Sequence, residues 1–261
     1  MAAYVQDAIM LLGDSITQGG YENNGFAAKL AHVYNRKMDV INRGFSGYNT
    51  EWALPIFEQC FATQHEQQHL PKVRLLIIWF GANDSCLPTR EQHVPLPQYK
   101  ANLRKMIWMV RSPESPRYSP DTRVILINSP PLNAEQWAGR QAAQEPPRPM
   151  ERDSAVTRTY AEAAVEVGAQ EGVAVVDAWT ALYDAAGREE KALKKFLRDG
   201  LHLNEAGYAI VYDELVKTIE EKHPEYHYDN LQFVFVPFDK ICEDLKNYKE
   251  LTKKRSAFPD A

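Results

Sequence analysis

Five short and almost uninterrupted apolar runs constrain the fold of this chain more than any other feature of its sequence. They cover residues 8–12, 38–42, 73–80, 123–128 and 173–177. Runs in which apolar and polar residues do not alternate are typical of strands that are buried on both faces of a parallel sheet. We therefore predict a parallel sheet of five strands.

The segments between these runs have the periodicity of helices, with apolar residues recurring every three or four positions. They cover residues 25–37, 50–61, 96–110, 152–172 and 204–222. A chain in which strands and helices alternate packs its helices on both faces of the sheet through right-handed crossovers. The sequence therefore predicts an α/β fold, a three-layer α/β/α sandwich, whose ligand site lies at the carboxyl ends of the strands.

The pattern changes after Lys222, where a sandwich of five strands is already complete. We therefore assign residues 1–222 to one domain and residues 223–261 to a C-terminal extension, an arm or a lid, which ends in a charged helix over 240–254. Its aromatic stretch at 226–238 is apolar enough to dock on its own domain or on a second copy of the chain. We predict that it pairs with a second copy to form a homodimer.

Composition and charge argue against several classes of partner. The net charge is −5 and both signs are interspersed, so we expect no basic surface that binds nucleic acid. No window approaches the roughly 18 uncharged apolar residues of a membrane span, and the first twelve residues lack the basic flank of a secretory signal. The cysteines Cys60, Cys86 and Cys242 are odd in number and widely spaced, unlike a disulfide framework. We therefore expect a cytoplasmic protein with no nucleic-acid partner and no membrane insertion.

Polar motifs follow four of the five predicted strands. These are GDSIT after the first, NRGFSGYNT after the second, GANDS after the third and RDGLHLN after the fifth. Because parallel strands end at one edge of the sheet, we expect these motifs to meet there. The sequence therefore predicts chemistry at that edge.

The residues in these motifs are those that acyl transfer requires. A serine hydroxyl such as Ser15 needs a base to become nucleophilic, and His202 can supply it. Asp199 lies three residues before His202, close enough to accept the imidazole proton and orient the ring. An oxyanion hole needs N–H donors, for which the amides of Ser15 and Gly44 and the side chain of Asn83 are the candidates.

Taken together, Gly13-Asp14-Ser15-Ile16, Gly44, Asn83 and Asp199-Gly200-Leu201-His202 resemble the four blocks of the SGNH (GDSL-like) hydrolases. Within that superfamily, the motifs NRGFSGYNT, FGANDSC, QHVPLPQYKANL, SPPL and FLRDGLHLNEAGY resemble the isoamyl acetate-hydrolysing esterase family, from about residue 8 to 220.

This resemblance implies a flavodoxin-like fold, no metal or other cofactor, and hydrolysis of small carboxylic esters such as acetates. It assigns Ser15 as the nucleophile, His202 as the base and Asp199 as the group that orients His202. It also assigns Gly44 and Asn83 as oxyanion donors. Substrate-binding residues are not assigned; we expect them in the loops at 84–97 and 130–150, with Leu132 or Trp137 as candidates for the pocket lining.

Alternatives to a small-ester hydrolase remain. A deacetylase of acetylated sugars, a thioesterase or a lysophospholipase of the same superfamily would use the same triad, and a binding module would keep the fold without chemistry. His65-Glu66-Gln67-Gln68-His69 fits the H-E-x-x-H pattern of zinc peptidases. The two glutamines, and Leu70-Pro71 directly after them, favour a solvated helix end instead.

Overall fold

The computed structural model describes residues 6–259. The first five residues of the segment inspected for a secretory signal lie outside that range. The strands are β1 (Ala8–Gly13), β2 (Asp39–Gly44), β3 (Val73–Trp79), β4 (Arg123–Ile127) and β5 (Ala174–Val176). They form one sheet in the order β2-β1-β3-β4-β5, and every neighbouring pair is parallel. The predicted five-stranded parallel sheet is confirmed.

Helices cover both faces of this sheet. In chain order they are α1 (Ser15–Gln18), α2 (Phe26–Val33), α3 (Thr50–Cys60), α4 (Leu96–Arg111), α5 (Ala134–Ala142), α6 (Ser154–Glu171), α7 (Ala178–Ala185) and α8 (Glu205–Lys222). Five of them, α2, α3, α4, α6 and α8, lie where the apolar periodicity predicts helices. Helices α1, α5 and α7 are additional, and α5 lies inside the segment 130–150 that we expected to be a loop. The three-layer α/β/α sandwich is confirmed.

Successive side chains of the central strands alternate between two cores. Ile9 and Leu11 of β1 are buried against α2, α7 and α8, whereas Met10 and Leu12 are buried against α3, α4 and α6. A strand covered on both faces is apolar at every position, which explains the uninterrupted runs. The edge strand β2 departs from this expectation because it has a neighbour on one side only and is partly exposed along its length.

The extension packs along the amino ends of the strands, at the edge opposite Ser15. The Val234 N–H donates to the Arg36 carbonyl at 2.8 Å, just before β2, and the Tyr226 hydroxyl donates to the Asp121 carbonyl at 3.0 Å, just before β4. Tyr226 and Leu231 are buried in the same core as α2 and α8. These contacts support an arm that docks on its own domain rather than a lid.

The single charged helix expected over 240–254 is a wrong prediction. The chain instead forms two short helices, α9 (Phe238–Glu243) and α10 (Tyr248–Leu251), neither of which has a buried residue. Without packing to support it, a longer helix is not stable. The homodimer remains a prediction. Within the described residues, no helix has both the length and the apolar character needed to cross a membrane.

Candidate active site

The loops that follow β1, β2 and β3 are hydrogen bonded to one another at the carboxyl edge of the sheet. The Phe45 N–H donates to the Gly13 carbonyl at 2.8 Å, which joins the second loop to the first. Asn83 Nδ2 donates to the Tyr48 carbonyl at 2.8 Å, which joins the third loop to the second. Three of the four polar motifs therefore meet, as the order of the strands predicts.

The fourth motif brings His202 and Asp199 to Ser15. The Ser15 hydroxyl lies 2.9 Å from His202 Nε2, across 187 residues of sequence. His202 Nδ1 lies 2.8 Å from Asp199 Oδ2. The three predicted triad residues thus form one continuous hydrogen-bonded relay, in which the side chains of His202 and Asp199 are 25% and 18% exposed. A substrate can reach this relay from solvent.

The ionisation of Asp199 determines the tautomer of His202. Partial burial raises the pKa of Asp199, but hydrogen bonds from the His202 side chain and from the backbone N–H groups of His202 and Leu201 outweigh that effect and hold it at about 2. A carboxylate can only accept, so Nδ1 of a neutral His202 must carry the proton. The lone pair of Nε2 is then directed at the Ser15 hydroxyl, which is the arrangement a general base needs.

Asp14, which precedes the nucleophile, has a structural role. Its Oδ1 accepts the Ile16 N–H at 2.8 Å and caps α1, whose first residue is Ser15. Burial raises the pKa of Asp14 to about 7, against the lowering effect of the hydrogen bond from Ile16. Capping therefore explains the acid of the GDS motif, and the contact with His202 explains the serine.

Asp84, the residue after Asn83, is a second buried carboxyl close to the site. Its Oδ1 accepts the Thr50 N–H at 2.9 Å and the Thr50 hydroxyl at 2.5 Å, which fastens the loop after β3 to the start of α3. Burial raises the pKa of Asp84 to about 6, although both Thr50 hydrogen bonds lower it. The Asp84 side chain therefore holds in place the loop that carries Asn83.

Two of the three candidate oxyanion donors, Ser15 and Asn83, lie near each other at the carboxyl edge of the sheet. Ser15 is the first residue of α1, so its N–H belongs to the helical turn that lacks intrahelical acceptors. Asn83 is buried beside the loop after β2, and its Nδ2 carries a second hydrogen besides the one donated to Tyr48. Both groups lie at the same sheet edge as the Ser15 hydroxyl.

The geometry of Gly44 corrects its predicted role. Its N–H donates to Asn42 Oδ1 at 2.8 Å and is therefore not free for an oxyanion. A side chain at this position would place a Cβ 2.1 Å from the backbone nitrogen of Gln18. Gly44 is thus needed for the close approach of β2 to α1, which is a packing role.

Gly47 has the free amide that Gly44 lacks. Its φ of +83° lies in the left-handed region that favours glycine. Within residues 6–259 its N–H has no acceptor, while its carbonyl accepts from Gln92 Nε2 at 2.8 Å. Gly44 is the last residue of β2 and Gly47 lies three residues further on; the Asn42 side chain occupies the N–H of Gly44 and leaves that of Gly47 unused.

Helix α5, which the apolar periodicity does not predict, packs against the loop that carries Asp199 and His202. The Asn133 N–H at its start donates to the Gly200 carbonyl at 2.9 Å. Arg140 Nε lies 3.1 Å from Asp199 Oδ2, as a second cation beside the carboxylate that orients His202. Trp137 packs with its ring centroid 6.3 Å from that of His202. No spacing rule links Arg140 to Asp199, because Arg140 lies in α5 and Asp199 in a separate loop 59 residues later.

The residues of the H-E-x-x-H motif are not arranged as in a zinc site. Glu66 lies in a 3₁₀ helix of three residues, and its carboxylate accepts the Thr63 N–H at 2.7 Å and the Thr63 hydroxyl at 2.8 Å. In the described part of the chain, no group of three or more His, Cys, Asp or Glu side chains is placed to hold a metal ion. The motif is an exposed turn capped by its own glutamate.

Comparisons with known proteins show the family of this chain. A model of the GDSL-like lipase/acylhydrolase family matches residues 11–210. The isoamyl acetate-hydrolyzing esterase 1 homolog of Bos taurus is 37% identical over 216 residues, which cover 82% of this chain and 82% of the bovine protein. The isoamyl acetate-hydrolyzing esterase of Saccharomyces cerevisiae is 30% identical over 250 residues, which cover 92% and 98% of the two chains.

A solved structure has the same fold. The lipase/acylhydrolase from Enterococcus faecalis superposes with a TM-score of 0.58 at 25% sequence identity, over 83% of this chain and 96% of the bacterial one.

Proposed function

Since this chain belongs to the GDSL-like lipase/acylhydrolase family and is a carboxylic ester hydrolase, we propose that it cleaves small acetate-type esters through Ser15, His202 and Asp199. The observation that carries the proposal is the relay of two hydrogen bonds, 2.9 Å from Ser15 to His202 and 2.8 Å from His202 to Asp199. Such a relay is the minimum apparatus that turns a serine hydroxyl into a nucleophile.

In the proposed reaction, His202 Nε2 takes the Ser15 proton while Oγ attacks the ester carbonyl carbon. Asp199, which is ionised at neutral pH, stabilises the imidazolium that forms. Collapse of the tetrahedral intermediate breaks the bond to the alcohol oxygen, and the alcohol leaves with the proton from Nε2. Water then attacks the acyl group on Ser15 by the same route, and the acid is released.

Three N–H groups are proposed to bind the oxyanion of that intermediate. They are the backbone amide of Ser15, the side-chain amide of Asn83 and the backbone amide of Gly47, which replaces Gly44 in this role. The free N–H of Gly47 and the position of Asn83 one hydrogen bond away from Tyr48 support the assignment. Donors of this kind stabilise charge that is absent from the ground state, which is how they accelerate the reaction.

The choice of small acetate esters rests on the named substrate of the similar bovine and yeast proteins. A panel of esters that varies acyl and alcohol length separately tests it. Highest kcat/KM on acetate esters of short alcohols supports the proposal. A preference for long-chain acyl groups, acyl thioesters or acetylated sugars would replace it by another activity of the same triad.

Replacing the nucleophile tests the mechanism itself. Ser15→Ala should lower kcat for p-nitrophenyl acetate by about 10⁴-fold or more, the usual cost of losing one triad member. Ser46→Ala is the matched control, since Ser46 is exposed at the same sheet edge and stays outside the relay; we expect a change in kcat of less than about threefold. If Ser15→Ala hydrolyses the ester as fast as Ser46→Ala, the serine mechanism is wrong.

The same assay addresses the two alternatives of other classes. Activity that survives exhaustive EDTA treatment excludes a zinc peptidase built on His65 and His69. Stoichiometric labelling of Ser15 by a fluorophosphonate excludes a binding module. The cysteines Cys60, Cys86 and Cys242 are all free, a state that suits a reducing compartment, and we propose that the protein acts in the cytoplasm.

A further inference from the structure

Arg152 is a buried arginine that lies against the proposed oxyanion donor Asn83. It precedes α6 and is 5% exposed. One guanidinium nitrogen, Nη2, donates to Asn83 Oδ1 at 3.0 Å, and the other, Nη1, donates to the Ala82 carbonyl. The guanidinium carbon lies 5.1 Å from the centroid of the Trp137 ring. The two hydrogen bonds and the ring together hold the cation in place.

This contact and the hydrogen bond to the Tyr48 carbonyl together decide which way the Asn83 amide points. The oxygen and nitrogen of a side-chain amide have nearly the same shape, so an isolated asparagine can occupy either orientation. A guanidinium has donors only, so the group that faces Arg152 must be Oδ1. Nδ2 is then turned toward the loop after β2, where one hydrogen is donated to the Tyr48 carbonyl at 2.8 Å and the second remains for a ligand.

The charge of Arg152 also acts on the strength of that donor. A cation bonded to Oδ1 draws electron density from the amide and makes the Nδ2 hydrogens more positive, and burial preserves the effect because water does not screen it. The Glu151 carboxylate offsets the effect of the Arg152 charge only in part. Its Oε1 lies 3.9 Å from Arg152 Nε and accepts a hydrogen bond from Trp137 Nε1 at 3.2 Å instead.

We propose that Arg152 is a positioning residue for the oxyanion hole, which fixes the orientation of the Asn83 amide and polarises its N–H toward the reacting ester. The inference rests on the proposed function, since it requires an oxyanion at Asn83. It assigns no contact with substrate to Arg152. A purely structural arginine would stabilise the fold without affecting the step in which the oxyanion forms.

A double-mutant cycle between Arg152 and Asn83 tests the proposal. Asn83→Ala should lower kcat by about 10²- to 10³-fold with little change in KM, the usual cost of one oxyanion donor. Arg152→Gln, which removes the charge, should lower kcat by about 10- to 100-fold, the range found for partners that orient metal ligands. In the double variant the Arg152→Gln change should have almost no further effect, because the amide it orients is gone.

Arg152→Lys supplies the conservative comparison. A lysine keeps the charge and can donate to one of the two oxygens, so it should recover part of the kcat lost in Arg152→Gln. If Arg152→Gln and Arg152→Lys lose kcat equally, and the loss parallels the decrease in their urea unfolding midpoints, Arg152 is a structural residue and the proposal is overturned. Full multiplication of the two single effects in the double variant, an effect on KM alone, or failure of both variants to fold would also overturn it.

Ser15→Ala, measured beside these variants, separates this inference from the proposed function. An active Ser15→Ala variant refutes the serine mechanism. An inactive Ser15→Ala variant together with unchanged kcat in Arg152→Gln refutes the role of Arg152 and leaves the serine mechanism standing.

Discussion

Replacing Asp199 by asparagine should invert the proton arrangement of the proposed triad without disturbing the fold around it. The Oδ1 atom of Asp199 accepts the Leu201 N–H at 3.1 Å and the His202 N–H at 2.9 Å. Only the oxygen of an asparagine can take that position, so its NH₂ group must replace Oδ2 and face His202 Nδ1. Two donors cannot share a hydrogen bond, and the proton of His202 must therefore move to Nε2.

A proton on Nε2 leaves His202 unable to accept the Ser15 hydroxyl. The expected loss in kcat for Asp199→Asn is about 10⁴-fold, as for other triads whose histidine is held in the wrong tautomer. At about 1.36 kcal/mol per factor of ten, this corresponds to about 5.5 kcal/mol of lost transition-state stabilisation. Because both backbone hydrogen bonds to residue 199 are retained, the urea midpoint should change little. The measurement is the steady-state hydrolysis of p-nitrophenyl acetate, with the rate of fluorophosphonate labelling as a second readout.

The substitution also removes the ion pair between Asp199 and Arg140, which needs its own control. Arg140→Gln breaks that pair but leaves the carboxylate opposite Nδ1. Arg140 is 40% exposed on its side chain, so the pair is screened and we expect kcat to fall by less than about tenfold. A folded Asp199→Asn enzyme that keeps more than a tenth of the wild-type kcat would show that the tautomer of His202 does not limit the reaction.

Two further predictions concern stability. Gly44→Ala should lower the free energy of unfolding in urea by about 1–3 kcal/mol, because its Cβ would lie 2.1 Å from the backbone nitrogen of Gln18. The control Gly139→Ala, at a helical position with open space around it, should instead raise it by about 0.5–1 kcal/mol. Equal effects of the two substitutions would contradict the packing role of Gly44. The pKa of Asp14 is raised from 3.8 to about 7 in the folded protein. Between these two pH values the folded state binds more protons than the unfolded state. The wild type therefore loses stability as the pH rises through that window. Asp14→Asn keeps the cap on α1 and lacks this loss, and its stability relative to wild type should grow by up to about 4 kcal/mol between pH 4 and pH 8; a difference that does not vary with pH would contradict the buried, protonated state of Asp14.

The sequence was most informative about elements whose side chains are covered on both sides. The central strands β1, β3 and β4 and the long helices α4, α6 and α8 all lie where periodicity predicts them, because burial imposes a regular pattern on neighbouring residues. Helix α5 is not predicted by periodicity, because its pattern is short and mostly polar and only two of its residues, Trp137 and Gln141, are buried. The segment after Phe238 fails in the opposite way. Its charged residues suit a long helix, so one is predicted, but no core packs against the segment to support it.

The candidate site is likewise predictable from the sequence only in part. Ser15, Asp199 and His202 were assigned from motifs placed after parallel strands, since the rule that such strands end together makes a distant pair of motifs into neighbours. The prediction for the glycine is wrong because Gly44, the last residue of β2, and Gly47 are only three residues apart. The difference between them is that Asn42 occupies one N–H and leaves the other free, which the order of residues does not reveal.

The sequence by itself determined the α/β fold, the edge of the sheet at which the polar residues collect, and the type of chemistry that a serine, a histidine and an aspartate perform together. Only the tertiary structure decided which amides remain free, that Arg140 reaches Asp199 and that Arg152 faces the amide of Asn83. The physical reason is that periodicity and motif placement are local properties, written within one element at a time. The Arg140–Asp199 ion pair and the Arg152–Asn83 hydrogen bond join residues 59 and 69 positions apart, and they depend instead on how separate elements are packed against each other.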